Sequence, residues 1–132
     1  MTRHRYQQAT ERYGAQRSVI ASVSSLGRQL SGGEQEMLSI ARPLLLNPRI
    51  MLLDEPSQGL APLIVQEVMQ VVRSMRDEGL SVLLVEQNVP LSLAIADRAY
   101  ILDDGKVVYS GTAAELGANH ELVEKLAGAT AH

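Results

Sequence analysis

Apolar residues take up a regular spacing at Leu30, and from there the chain predicts alternating helices and strands. Ser31 and Glu34 have the spacing of a capping box, so a helix is expected to begin there. Four apolar side chains would turn inward on this helix: Met37, Leu38, Ile40 and Ala41. The short apolar run at residues 50–53, which ends at Asp54, is typical of a strand buried on both faces in a parallel sheet.

A second helix and a second strand follow. Pro62 can occupy the first turn of this helix, and Gly79 closes it. Its apolar stripe repeats at helical spacing: Val65, Val68, Val72 and Met75. Residues 81–85 predict another buried strand, and a short helix is expected from Pro90 to Ala96.

The last part of the chain predicts a hairpin and a final helix. Short apolar segments flank a hairpin-turn sequence at residues 103–105. Thr112 and Glu115 repeat the capping-box spacing before a helical stretch that ends near Ala127. The order strand, helix, strand, helix, hairpin, helix indicates an α/β fold with a mostly parallel core.

Residues 1–29 differ in charge from the rest of the chain. They carry five arginines and one acidic residue, whereas residues 30–132 carry seven basic and fourteen acidic side chains. Such a segment could be a transit peptide or a nucleic-acid-binding arm, but we favour a basic helical surface and expect no nucleic-acid partner. The sequence therefore divides into an atypical basic, helical segment at residues 1–29 and a domain at residues 30–132.

The composition limits the classes of protein that fit. The 132 residues suffice for one domain, and an apolar content of 45% with 20% charged residues is typical of a globular protein. The core must be aliphatic, because the chain has no Phe and no Trp. No apolar run is long enough to span a bilayer, and the absence of Cys excludes disulfides and thiolate metal sites.

The segment Leu30-Ser31-Gly32-Gly33-Glu34-Gln35 is the first candidate for chemistry. Two glycines let backbone N–H groups approach a ligand, the serine adds a hydroxyl, and the start of a helix favours an anion such as phosphate. A helix cap with a flexible glycine hinge explains the same residues equally well.

Two carboxylates after the first strand are the second candidate. Asp54 would lie at the carboxyl end of a parallel strand, where open α/β sheets bind ligands. Its oxygens suit Mg²⁺, directly or through water. Glu55 could orient and deprotonate an attacking water, as phosphoryl transfer requires. The alternative is a pair of acids that begins a loop.

Both clusters, in this order, resemble the ATP-binding subunits of ABC transporters from Leu30 to about Gly128. LSGGEQ is similar to the signature motif, IMLLDE to the Walker B strand and SQGLAP to the D-loop. DEPSQGLAP together with LLVEQN resembles the importers of branched-chain amino acids. The resemblance implies the C-terminal part of a P-loop NTPase-like ABC ATPase domain, with a mostly parallel sheet flanked by helices and a C-terminal β-hairpin.

The resemblance also implies a site shared by two such domains packed head to tail, with ATP and Mg²⁺ between them. The signature residues would bind nucleotide held by the opposite subunit: Ser31, Gly32, Gly33 and Gln35. Ser57, Gln58 and Gly59 would lie across the dimer seam. Asp54 would support Mg²⁺, Glu55 would polarise the hydrolytic water, and Gln87 would take the switch position that most relatives fill with histidine. The expected partners are a second ATP-binding subunit and transmembrane permease subunits, on the cytoplasmic face of the cell membrane.

The phosphate-binding loop G-x-x-x-x-G-K-[ST] has no match in the chain. Lys106 follows a glycine, but neither the residue after it nor the position of the first glycine fits, and Lys125 has no glycine loop. Three interpretations stay open: a partial subunit of a working amino-acid importer, a non-catalytic module that supplies the signature motif in trans, and a remnant without function. Pro43 should kink the first helix, because proline removes a backbone hydrogen bond at a cost of about 3 kcal/mol or more.

Overall fold

A computed structural model describes residues 32–44, 46 and 48–129, which fall into two units that divide after Val85. The described part of the first unit comprises two helices and two strands. In chain order these are α1 (Gly32–Leu44), β1 (Ile50–Asp54), α2 (Pro62–Asp77) and β2 (Ser81–Val85). The predicted basic segment at residues 1–29 and the predicted cap at Ser31 lie outside the described residues.

β1 and β2 pair in parallel, and α2 connects them. The register runs from Ile50 opposite Ser81 to Asp54 opposite Val85. Parallel strands need a long crossover, and a helix provides it. The predicted parallel α/β core is therefore confirmed for the first unit.

The core of this unit lies under one face of the two strands. α2 buries Val68, Met69, Val72 and Met75, and Met75 is 0% exposed. Three of the four predicted inward positions of α1 are buried, and Met37 is only half-buried. As predicted, Pro62 begins α2, and Gly79, with a φ of 90°, follows its end.

The prediction that both strands are buried on two faces is wrong. Met51 is 4% exposed, whereas its neighbours Ile50 and Leu52 are 56% and 68% exposed. β2 alternates in the same way, with Leu83 and Val85 exposed. Among the described residues of this unit, helices cover only one face of the strands. A continuous apolar run predicts that a strand is buried, but it does not show whether one or both of its faces are covered.

The proline in α1 lies in the last turn. α1 ends at Leu44, one residue after Pro43, and the carbonyl of Pro43 accepts a hydrogen bond from the N–H of Leu46 at 3.0 Å. Proline has no N–H to donate to the carbonyl four residues earlier, and the helix ends one residue after it. The expected kink has no helix beyond Leu44 in which to appear and stays a prediction.

The second unit contains a short helix, a hairpin and two final helices. In chain order these are α3 (Val89–Leu93), β3 (Arg98–Asp103), β4 (Lys106–Thr112), α4 (Ala113–Ala118) and α5 (His120–Ala129). The predicted hairpin turn is confirmed, because Asp104 and Gly105 both have positive φ, at 45° and 72°. β3 and β4 pair antiparallel, with a bulge at the step from Ile101 to Leu102.

The final helical stretch is divided in two, which the sequence analysis did not predict. Asn119 ends α4 and then caps α5, since its side-chain oxygen accepts a hydrogen bond from the N–H of Leu122 at 3.1 Å. The predicted capping box is confirmed: Glu115 N–H donates to the Thr112 hydroxyl oxygen at 3.1 Å, and Thr112 N–H donates to the Glu115 carboxylate at 3.0 Å.

Replacing Met75 should test the core of the first unit. Met75→Ala leaves a cavity in a fully buried position, so we expect the free energy of unfolding to fall by about 2–5 kcal/mol. Leu63→Ala on the same helix is the control, because Leu63 is 68% exposed and its loss should change stability by less than about 0.5 kcal/mol. Urea denaturation measures both, and equal effects would contradict this assignment of the core.

The capping box should make stability depend on acid pH. Hydrogen bonds from the backbone and then the side chain of Thr112, with the charge of Arg98, lower the pKa of Glu115 below its ordinary value. The ionised form is thus favoured in the folded chain, and its contribution is present above the ordinary carboxyl pKa and is lost as pH falls through the lowered one.

Glu115→Gln should remove that part of the pH dependence, because glutamine can accept the hydrogen bond but does not titrate. Urea midpoints measured between neutral and strongly acid pH compare the variant with the wild type. The two curves should converge at low pH, and parallel curves over the whole range would speak against the assignment.

Candidate functional site

The site begins where β1 ends. Asp54 is the last residue of β1 and its side chain is exposed, whereas the following residue, Glu55, is half-buried. The N–H of Glu55 donates to the carbonyl of Val85 at 2.8 Å, so the ladder between β1 and β2 continues one step past the strands. This hydrogen bond fixes the backbone that carries both carboxylates.

Glu55 has a left-handed backbone. Its φ is 47°, a conformation that a side chain with a Cβ rarely adopts. A residue held in this region costs of the order of 1–3 kcal/mol and persists only when its surroundings impose it. The left-handed turn therefore ends the extended backbone of β1 directly after Asp54.

The next five residues form a tight loop that leads into α2. The carbonyl of Glu55 accepts from the N–H of Gln58 at 3.1 Å, and the carbonyl of Ser57 accepts from the N–H of Leu60 at 3.3 Å. Gly59 has a φ of 74°. Ser57 is half-buried, while Gln58 and Gly59 are exposed, so the D-loop residues stand at the surface of the unit.

The signature segment lies beside this loop. Position Gly32 begins α1, and a Cβ placed on it would come 3.8 Å from Leu60 Cδ2. Gly33 is buried and packs directly against the side chain of Ile64. Gln35 is exposed one turn further along the helix, and Ser31 lies outside the described residues. Gly32 and Gly33 therefore lie beside Leu60 and Ile64, at the end of the loop and the start of α2.

Gln87 belongs to the second unit. It is exposed and precedes Asn88, whose side-chain oxygen caps α3 by accepting from the N–H of Leu91 at 3.1 Å. Ser92 donates its hydroxyl hydrogen to the Asn88 carbonyl at 3.0 Å. This cap was not predicted from the sequence, although an Asn two residues before Pro90 is a recognisable start of a helix.

The contacts of Leu60 and Ile64 were also missed. Both are ordinary apolar residues, and no motif marks them as neighbours of the glycines. Their role becomes visible only when the distance between α1 and α2 is known.

The charged groups fit a magnesium site that uses one carboxylate. Within the described ranges, no group of three metal-ligating side chains is found, so a cage made wholly of protein ligands is not present there. Mg²⁺ commonly takes one or two carboxylates and completes its shell with water and phosphate oxygens. The exposed carboxylate of Asp54 meets that requirement. On α1, burial raises the pKa of Glu36 above its ordinary value.

Comparison with known sequences identifies the family to which the chain belongs. The model of the ABC transporter family matches residues 2–58. The chain is 46% identical over 99 residues to the high-affinity branched-chain amino acid transport ATP-binding protein BraG of Pseudomonas aeruginosa, covering 75% of this chain and 42% of the relative. It is 42% identical over 92 residues to the lipopolysaccharide export system ATP-binding protein LptB of Escherichia coli K12, covering 70% and 38%.

Solved structures of ABC transporter ATP-binding proteins have a similar fold. The cbiO1 protein from Clostridium perfringens, part of the ABC transporter complex cbiONQ, superimposes with a TM-score of 0.75 at 26% identity, over 94% of this chain and 48% of the other. MJ1267, an ATP-binding cassette of an ABC transporter, superimposes in its ADP conformation with a TM-score of 0.69 at 22% identity, over 89% and 49%.

The chain thus corresponds to part of an ABC transporter ATPase domain, with the predicted α/β fold. It spans less than half the length of the curated relatives it matches. The family match begins at residue 2, within the basic segment at residues 1–29. The domain boundary at residue 30 stays a prediction. In the described part of the chain, none of the helices has the length and apolar character needed to cross a membrane.

Replacing Gly59 should show that the D-loop needs a left-handed residue. A Cβ on Gly59 would meet no atom within 4 Å, so the cost of Gly59→Ala comes from its backbone alone and should be about 1 kcal/mol. Gly117→Ala is the matched control, since it also meets nothing within 4 Å but lies in α4, where alanine is favoured over glycine. In urea denaturation, Gly59→Ala should lower the free energy of unfolding and Gly117→Ala should raise it. A stabilising Gly59→Ala would refute the left-handed backbone at residue 59.

Proposed function

We propose that this chain is part of the ATP-binding subunit of an ABC importer and contributes to a composite ATP site shared with a second ATP-binding subunit. The observation that carries the proposal is the geometry after β1, where an exposed Asp54 is followed by a left-handed, half-buried Glu55. The predicted D-loop follows this turn, and the first residues of the signature helix lie against Leu60 and Ile64, which come after that loop.

Each residue has a separate task in the proposed reaction. Mg²⁺, when bound, offsets the negative charge of the phosphates. Asp54 holds the metal directly or through a water. The Glu55 carboxylate orients the hydrolytic water and accepts its proton as the water oxygen bonds to phosphorus and the bond to the leaving phosphate oxygen breaks. Gln87 can hydrogen-bond at the switch position but cannot take up a proton near neutral pH.

The signature and D-loop residues act on the opposite subunit. Ser31 and Gly33 offer a hydroxyl and backbone N–H groups to the phosphate of a nucleotide held there, while Gly32 and Gln35 complete the segment. The D-loop residues Ser57, Gln58 and Gly59 would lie at the seam between the subunits, and Gln58 and Gly59 are exposed. This arrangement requires a head-to-tail dimer, which assembles with transmembrane permease subunits at the cytoplasmic face of the cell membrane.

For the transported substrate we propose amino acids, and branched-chain amino acids in particular. DEPSQGLAP and LLVEQN resemble that branch, and both BraG and the probable LivF protein of Archaeoglobus fulgidus, at 44% identity, carry branched-chain transport in their names. The LptB relatives reach up to 46% identity, so export of lipopolysaccharide is the competing assignment.

A second candidate function is a non-catalytic module. The sequence has two lysines, and neither stands in a loop that could hold the β and γ phosphates. A chain of this kind can still supply Ser31 and Gly33 to a complete partner without hydrolysing ATP at its own carboxylates. A remnant without function, the third interpretation, would do neither.

Calorimetry with Mg²⁺ and a non-hydrolysable ATP analogue tests the isolated chain, after circular dichroism has verified folding. We expect no micromolar binding, because the chain has no phosphate-binding loop. Micromolar binding would overturn the proposed division of the site between two subunits.

Mixing experiments then separate the candidates. The partner is a complete BraG subunit whose own signature serine is replaced by arginine, so that turnover depends on a signature motif added in trans. The whole chain should restore ATP turnover and its Ser31→Arg variant should not. No restoration by the wild-type chain would favour the remnant.

Glu55→Gln distinguishes catalysis from a purely structural role. In the mixed dimer, Glu55 does not face the nucleotide bound by BraG, so the variant should restore turnover as well as the wild type does. When the chain is instead co-expressed with the N-terminal half of BraG, Glu55→Gln should abolish turnover if the chain is a working part. Equal turnover there would identify the non-catalytic module.

A further inference from the structure

We propose that Ile64 is a positioning residue for the signature segment, and that position 33 is glycine because Ile64 occupies the space that a side chain would need. The proposal deepens the function proposed above, since it concerns the residues expected to contact nucleotide in trans. It assigns to Gly33 a packing role within its own subunit, in addition to any contact with phosphate.

The close approach of α1 to α2 carries the argument. A Cβ built on Gly33 would overlap Ile64 Cγ2 and would lie 3.3 Å from Cγ1 and 3.4 Å from Cβ of the same side chain. Gly33 is buried and Ile64 is half-buried, so the contact belongs to the packed part of the unit. Gly32, one residue earlier, has ordinary room, with its nearest neighbour Leu60 Cδ2 at 3.8 Å.

Ile64 is poorly able to move aside. It is the third residue of α2, where a β-branched side chain has one strongly preferred rotamer. The start of α2 is itself fixed by Pro62 and by the hydrogen bond from the N–H of Val65 to the Ala61 carbonyl at 3.0 Å. A Cβ at position 33 would therefore displace the first turn of α1 rather than the isoleucine.

This contact links two parts of the proposed composite site. Leu60, whose Cδ2 would lie 3.8 Å from a Cβ on Gly32, follows Gly59 of the predicted D-loop, and Ile64 comes four residues later. Gly32 and Gly33 thus lie against Leu60 and Ile64, which follow the predicted D-loop. The competing explanation is that Gly33 is glycine only so that a phosphate can approach its backbone, and it gives Ile64 no role.

Urea denaturation of the whole chain tests the packing without any nucleotide. Gly33→Ala should lower the urea midpoint, and adding Ile64→Ala should recover at least half of that shift, because it removes both Cγ atoms. Ile64→Val is the matched control: it keeps Cγ2, so it should not rescue. Gly32→Ala should leave the midpoint unchanged or raise it, because its Cβ has room in a helix.

Turnover of the signature-deficient BraG partner tests the positioning role. Misplacement of catalytic groups by about 1 Å can cost about a hundredfold in rate, so Gly33→Ala should reduce the restored turnover by about ten- to a hundredfold. Ile64→Ala added to Gly33→Ala should return it to within about threefold of the wild type, and Ile64→Val should not. Leu63→Ala, at the exposed neighbouring position, should have no effect.

The two measurements fail separately. If Gly33→Ala lowers turnover and Ile64→Ala does not restore it, although the midpoint recovers, Gly33 acts through phosphate approach alone and the positioning role is wrong. If adding Ile64→Ala to Gly33→Ala restores neither the urea midpoint nor folding, the proposed packing of Gly33 on Ile64 is wrong. If the wild-type chain restores no turnover while the midpoints behave as expected, the proposed function fails and the packing of Gly33 on Ile64 stands.

Discussion

The hydrogen bond from the Glu55 N–H to the Val85 carbonyl connects the parallel strands of the first unit to the turn that carries its candidate carboxylates. It extends the parallel ladder one step past β1, to Glu55, whose backbone is left-handed. From that turn the chain continues through the predicted D-loop into α2, and α2 packs against the start of α1. Along the chain, α2 therefore connects the turn that carries the carboxylates with the contacts of the signature segment.

Local signals in the sequence predicted most elements of the fold. The capping box at Thr112 and Glu115 and the turn at Asp104 and Gly105 depend on neighbours within four residues, so the sequence contains all that determines them. The division of the last helix at Asn119 was missed, because an asparagine can cap a helix or simply sit on its surface. Burial of β1 was overestimated, since its apolar run does not reveal how many layers cover it.

The candidate site was predictable to a different extent. The motifs marked Asp54, Glu55 and the predicted D-loop residues as candidates, because these residue types carry recognisable chemistry. They could not reveal the contact between Gly33 and Ile64, which depends on the separation of two helices that are distant in sequence. From the sequence, the glycines of the signature segment predicted either an anion site or a helix cap with a flexible hinge. The structure adds a third reason for glycine, close approach to a side chain, which does not exclude the anion site.

The bulge in the hairpin has a consequence for self-association. Leu102 pairs with Val107 and Ile101 with Tyr109, so Val108 has no partner on β3, and both valines are exposed. Regular strands with exposed apolar side chains can template the stacking of identical chains, but an inserted residue twists the strand and interrupts its row of amide and carbonyl groups. The hairpin therefore presents an apolar surface on a backbone that is badly shaped for fibril growth.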